Sequence, residues 1–257
     1  MTREEFIKLC GGIFTSEQSY KSYTLSEKYR YFWSFYNGKK FIENKEITDE
    51  EIVTIYAGVE IDNVKQRKKF SIEHIVPMSF INKYLRRQAK AVKKGACCNP
   101  FNFAASHREI NSQRSSWPFD FDGDEIVRRG KLHIRHVYTD YGLDHENEWV
   151  VPSKSRGDVA RAILYMSLIY NIREFYGRDI VELVKWAKID PPGFWEIKYN
   201  QWVYQHRKIQ NPFIQNLKGD ISPLQLLTDT ELLSSLDKKH TKRRKQKYGK
   251  GNKKRNR

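Results

Sequence analysis

The sequence predicts an α+β fold, mostly helical, with one small strand–strand–helix unit inside it. Three observations lead there. Apolar residues recur at helical spacing through much of the C-terminal half. One run, Lys69-Phe70-Ser71-Ile72-Glu73-His74-Ile75-Val76, alternates instead, is rich in β-branched residues and is closed by Pro77, which predicts a strand. A second short apolar run, at 101–104, then precedes a helix-like stretch that carries Ile110-Asn111 to about Arg114.

Taken in order, Thr2-x-x-Glu5 has the form of a capping box ahead of Phe6, Ile7 and Leu9, and Gly11-Gly12 stops that helix. A second helix is expected over 25–36, aromatic on one side and ended by Asn37-Gly38. A third starts after Thr48, with Ile52, Ile55 and Tyr56 at helical spacing before Gly58. The tyrosines and Trp33 of these segments read as core. After the strand, residues 80–94 read as one strongly basic helix, and Asn99-Pro100 breaks the chain. Ser106 is the expected cap of the helix bearing Asn111. Residues 118–150 read as loop with short strands near 132–134 and 137–139. Asp158 is the expected cap of the clearest helix, which runs through Ile163, Met166, Ile169 and Phe175 to Gly177. In the same segment Arg161 is expected in a partly buried ion pair. Helices over 180–187 and 194–208 flank Asp190-Pro191-Pro192-Gly193, and an amphipathic segment over 223–236 follows.

Charge divides the chain unevenly. Of the net +16 carried by 257 residues, +12 lies in residues 238–257, which contain twelve Lys or Arg and no acid. A run of like charge stays solvated and seeks polyanions, so this tail predicts nucleic-acid anchoring, nuclear import or both. The opening residues Met1-Thr2-Arg3-Glu4-Glu5 start no apolar run, so no secretory signal is expected, and no stretch suggests a membrane span. Cys10, Cys97 and Cys98 are too few for a disulfide framework, which points to a reducing compartment. Neither the Cys97-Cys98 pair nor His133, His136 and His145 has partners spaced for zinc.

Two short words carry the chemistry: Ile72-Glu73-His74-Ile75-Val76-Pro77, and Arg108-Glu109-Ile110-Asn111 with Arg114. Together they offer a carboxylate, an imidazole, an amide oxygen and a cation. Phosphodiester hydrolysis needs an activated water, stabilisation of charge on phosphorus and help for the leaving oxygen. An imidazole is a suitable base near neutral pH, and a Mg²⁺ ion bound through one or two protein oxygens can supply the rest. Glu73 and His74 are neighbours on a strand, so they should project to opposite faces unless a bulge or twist intervenes.

These residues resemble those of the endonuclease I family, nonspecific nucleases of the ββα-metal, or His-Me finger, superfamily. Its Glu-His-x-x-Pro hallmark is Glu73-His74-Ile75-Val76-Pro77, followed here by Met78 rather than a small residue. Its second hallmark corresponds to Asn99-Pro100-Phe101-Asn102-Phe103 with Glu109-Ile110-Asn111 and Arg114-Ser115, and Asn99 and Phe101 stand where the family has Asp and His. Arg156-Gly157-Asp158-Val159-Ala160-Arg161-Ala162, Trp195-Glu196 and Asn211-Pro212-Phe213-Ile214 are similar to later family segments. The resemblance implies a ββα-metal core within residues 68–116, with Glu73 and Asn111 as ligands of Mg²⁺ (Mn²⁺ or Ca²⁺ as substitutes) and His74 as general base. Asn102 would hold the loop that presents the base. Arg86, Arg87, Lys93 and Lys94 are candidates for the cation beside the scissile phosphate, and Arg114 is either a catalytic phosphate contact or an ion-pair partner. Lys242, Arg243 and Arg244 of the tail would grip backbone phosphates.

The expected protein is therefore a Mg²⁺-dependent endonuclease cutting DNA, and RNA as a second substrate, with 5′-phosphate products and no membrane partner. Its expected divisions are a helical segment at 1–46, a nuclease domain at 47–216, an amphipathic segment at 217–237 and a basic tail at 238–257. The missing disulfides favour an intracellular setting, nuclear or virus-associated. Two alternatives remain open at this point: a noncatalytic packaging protein on the same fold, and a sequence-specific HNH-type endonuclease.

Overall fold

The computed structural model describes residues 32–35, 54–56, 69–119, 143–144, 149–150, 152, 155–172, 180–214 and 224. The expected helix after Thr2, the strands near 132–134 and 137–139, and the basic tail lie outside these residues. The described part is α+β and mostly helical, with small antiparallel two-stranded sheets. No described helix is long and apolar enough to cross a membrane.

Strand β1 (Phe70–His74) pairs antiparallel with β2 (Phe103–His107), in continuous register from Phe70 opposite His107 to His74 opposite Phe103. The alternation seen in the sequence sorts the two faces. Phe70, Ile72, Phe103 and Ala105 form an apolar face with Phe32, against which Trp33, Trp195 and Tyr199 pack. The other face carries Ser71 and Glu73 and is covered by helix α3 (Arg108–Arg114), which follows β2 directly.

Helices α1 (Met78–Tyr84) and α2 (Lys90–Cys97) lie on the connection from β1 to β2. One helix was expected over 80–94. The chain breaks instead because Leu85 is the last buried anchor, and Arg86, Arg87 and Gln88 offer the core nothing apolar. The second strand also starts later than expected. Asn99 turns the chain by accepting the Phe101 N–H (3.0 Å), so residues 100–102 form a 3₁₀ turn before β2. Ser106 is not the cap of α3. His107 is, its Nδ1 accepting the Glu109 N–H at 3.4 Å. Thr54–Tyr56 form a turn rather than helix, tied to β2 by the Ile55 N–H to Ala105 O bond of 2.9 Å.

After the short strands β3 (Leu143–Asp144) and β4 (Trp149–Val150), helix α4 (Arg156–Tyr170) runs through the middle of the core. It is buried nearly all round, as its apolar composition requires. Ser155, not Asp158, occupies its N-cap position; Asp158 lies in the first turn and bonds Arg161 at 2.9 Å. The helix stops at Tyr170 rather than Gly177, because Asn171 adopts a left-handed conformation (φ 54°) that a short amide side chain tolerates. Helices α5 (Ile180–Ile189) and α6 (Phe194–Arg207) complete the described body, Leu183, Val184 and Trp186 joining the α4 core.

Candidate active site

The site forms where α3 crosses the polar face of β1. Asn111 sits over Ser71: its amide nitrogen donates to Ser71 Oγ (2.9 Å) and to the Ile72 carbonyl (3.2 Å). A carbonyl can only accept, so this contact fixes which end of the amide is nitrogen and turns Oδ1 the other way. One turn on, Arg114 sits over Glu73.

Glu73 is almost wholly buried, although it is a carboxylate in the middle of a polar strand face. Burial pushes its carboxyl above the ordinary range, while the Arg114 guanidinium and the Tyr56 hydroxyl pull it back. Tyr56 Oη donates to Oε1 at 2.7 Å, and Arg114 Nη1 reaches the same oxygen at 2.8 Å. Both short contacts thus converge on Oε1, and Oε2 takes neither. The Phe119 ring lies beneath both partners, 5.0 Å from the Arg114 guanidinium and 6.3 Å from the Tyr56 ring.

His74 projects from the opposite face, as the unbroken register demands; no bulge brings it round. It ends β1, half-buried, edge-on to the Phe103 ring at 5.0 Å. Its Nε2 lies 3.1 Å from the Cys97 carbonyl at the end of α2. Since that oxygen only accepts, Nε2 carries the proton and Nδ1 holds the lone pair. The turn after His74 is held by Asn102, whose side chain accepts the Val76 N–H (2.7 Å) and donates to the Val76 carbonyl (2.8 Å). Asn99 and Phe101 pack away from these groups. Asn99 donates to Tyr170 Oη (3.1 Å), and Phe101 meets the Tyr165 ring at 4.9 Å.

Of the two roles expected of Arg114, the structure shows the ion pair and not the catalytic contact. A catalytic contact with phosphate needs an accessible guanidinium, but this one is 1% exposed. Besides Glu73 it donates to the carbonyls of His74 (3.1 Å) and Ile75 (2.8 Å). It is a positioning residue that pins α3 to the end of β1. Of the other expected cations, Arg86, Arg87 and Lys94 are exposed and Lys93 is half-buried on the α1–α2 segment, the segment whose end supplies the Cys97 carbonyl. Lys242, Arg243 and Arg244 lie outside the described residues.

The sequence profile described as Endonuclease I matches residues 13–218, most of the chain. The chain belongs to the endonuclease I family. It is accordingly a nuclease, a hydrolase whose substrate is nucleic acid. Comparison with individual curated proteins gives no match. The family match begins well before the strand hallmark and takes in Tyr56, which sequence reading had assigned to the core alone. No local signal marks Tyr56 as a partner of Glu73, because the two meet only through tertiary packing.

The residues present suit a hard divalent cation. Among the described residues, no three His, Cys, Asp or Glu side chains gather as a metal-binding cluster. The oxygens present at the site are instead those of the buried Glu73 carboxylate and the Asn111 amide. Mg²⁺ is bound in that way, through few protein oxygens and otherwise by water and phosphate, whereas zinc takes nitrogen and sulfur ligands.

Proposed function

We propose that this endonuclease I family member is a Mg²⁺-dependent endonuclease that hydrolyses DNA, and RNA as a second substrate, with little sequence preference. In this reading β1, β2 and α3 are the ββα-metal core, with Glu73 and Asn111 as ligands. A bound cation would supply positive charge to the phosphate oxygens and to the leaving 3′ oxygen. His74 Nδ1 takes a proton from water as it attacks phosphorus, the P–O3′ bond breaks, and the products carry a 5′-phosphate and a 3′-hydroxyl. Because β1 ends at His74, a phosphate seated at that end would meet the imidazole and the carboxylate from opposite sides. The observation that carries the reading is the Nε2 bond to the Cys97 carbonyl. It holds the imidazole in the tautomer that can act as a base.

Arg86, Arg87, Lys93 and Lys94, together with Lys242, Arg243 and Arg244 of the tail, would grip backbone phosphates, which carry no sequence information. The domain divisions given above belong to the same reading. So does a reducing, intracellular setting.

Cleavage of supercoiled plasmid with Mg²⁺, with chelator, and by His74→Ala tests the proposal. Nicking should require the metal and fall by about 10²–10⁴-fold in the variant, with plasmid binding retained. Binding without cutting under any divalent cation would replace it with the packaging alternative. A discrete fragment pattern on long duplex would favour the sequence-specific one.

A further inference from the structure

The Glu73 carboxylate is held in an asymmetric way. A guanidinium facing a carboxylate commonly forms two parallel bonds that cover both oxygens. Arg114 does not, because Nη1 and Nη2 are also committed to the carbonyls of His74 and Ile75. Only Nη1 reaches the carboxylate, at Oε1, and the Tyr56 hydroxyl joins it there. Two short contacts on one oxygen, with the His74 backbone N–H as a further donor to the carboxylate, set the rotation of the carboxylate plane. A neutral phenol does this without cancelling the charge that attracts a cation, which a second guanidinium would do.

The placement of Tyr56 is itself over-determined. The Ile55 N–H bonds Ala105 O of β2, the Ser155 hydroxyl bonds the Ile55 carbonyl, and the Tyr56 ring is fully buried beside Phe119. A residue needed only to fill that space would do as well as phenylalanine. The hydroxyl is the part that reaches the site.

We propose that Tyr56 is a positioning residue that, with Arg114, orients the Glu73 carboxylate toward the divalent cation. This rests on the metal-dependent reading above. Outer partners of this kind typically govern metal affinity by about 10–100-fold.

The test measures Mn²⁺ binding by electron paramagnetic resonance on metal-stripped protein, comparing wild type, Tyr56→Phe and Glu73→Gln. Tyr56→Phe is expected to keep the near-UV circular dichroism of the wild type and weaken Mn²⁺ binding about tenfold or more, with Glu73→Gln abolishing it. If Tyr56→Phe binds within twofold of wild type while Glu73→Gln does not bind, the role of Tyr56 is overturned and the metal site stands. If wild type binds no Mn²⁺, the metal-dependent reading falls and this inference with it. A second measurement does not depend on the variant folding. The ¹⁹F resonance of 3-fluorotyrosine placed at position 56 should move saturably on Mg²⁺ titration, and a resonance that stays fixed overturns the proposal.

Discussion

Among the described residues two arginines are buried, and each faces a carboxylate, but they are used differently. Arg161 on α4 is fully buried, and its fork closes on Glu196 of α6. Nε bonds Oε1 at 2.7 Å and Nη2 bonds Oε2 at 2.5 Å. Asp158 takes a further bond at 2.9 Å and the Asp190 carbonyl another at 2.6 Å. Burial alone would lower the Arg161 guanidinium, but Glu196 and then Asp158 hold it above its ordinary value. Every oxygen of Glu196 is engaged, so the pair joins α6 and the turn before it to α4 and has no ligand capacity left. Arg114 contacts one oxygen of Glu73 and donates from Nη1 and Nη2 to the carbonyls of His74 and Ile75. The first arrangement is a closed latch on both carboxylate oxygens, and in the second both short side-chain contacts fall on Oε1.

The strongest way to break the comparison is Arg161→Met. It leaves the Glu196 carboxylate in the interior without its cation, which costs about 3–5 kcal/mol. Urea denaturation should show that loss, while Mn²⁺ affinity of the folded fraction stays within twofold of wild type, because Arg161 shares no partner with Glu73. A large fall in metal affinity would mean that the latch and the site are one coupled unit.

Asn102→Ala sharpens the site side. It orphans the buried N–H and carbonyl of Val76, a loss of about 1–3 kcal/mol for a group left unsatisfied. The Asn102 contacts hold the turn just beyond His74, so plasmid cleavage should fall by more than the loss of folded protein explains. Urea denaturation and cleavage measured on the same preparation separate the two.

How much of this was legible in the sequence follows from how local each signal is. The alternation of Phe70, Ile72 and His74 against Ser71 and Glu73 is a strand signal, and it also placed Glu73 and His74 on opposite faces correctly. The helix bearing Asn111 was legible too, but its cap was not. Ser106 is the stronger cap by type, yet it lies one residue inside the strand, and the chain leaves extended geometry only after His107. The α1–α2 break escaped because continuous basic sequence reads as one helix, and only the packing shows that residues 86–91 after Leu85 are all exposed. Two features of the site could not be read at all. The partner of His74 is a backbone carbonyl, which any residue at position 97 would supply. The partner of Glu73 is a tyrosine from a turn, delivered by contacts with β2 and with Ser155 at the start of α4.

The smallest expected effect concerns His107, which caps the helix carrying both Asn111 and Arg114. Burial lowers its pKa below the ordinary histidine value, Glu109 opposes that shift and Lys69 adds to it. The unfolded chain therefore binds a proton at a higher pH than the folded one. Stability contributed by the neutral ring is complete above about pH 6.5 and is lost as pH falls through the unfolded and then the folded pKa. Protonation also removes the Nδ1 lone pair that accepts the Glu109 N–H, and it places positive charge at the N-terminal end of α3, where the helix dipole disfavours it. Tm should therefore decline modestly between about pH 7 and pH 5 beyond the slope of the rest of the protein. His107→Asn keeps an N-cap acceptor and has no charge to gain, so it should flatten that added slope while leaving Tm at pH 8 nearly unchanged. An equal slope in the variant would remove His107 from the pH response, and would leave the Arg114 contacts as the main support of the helix over the site.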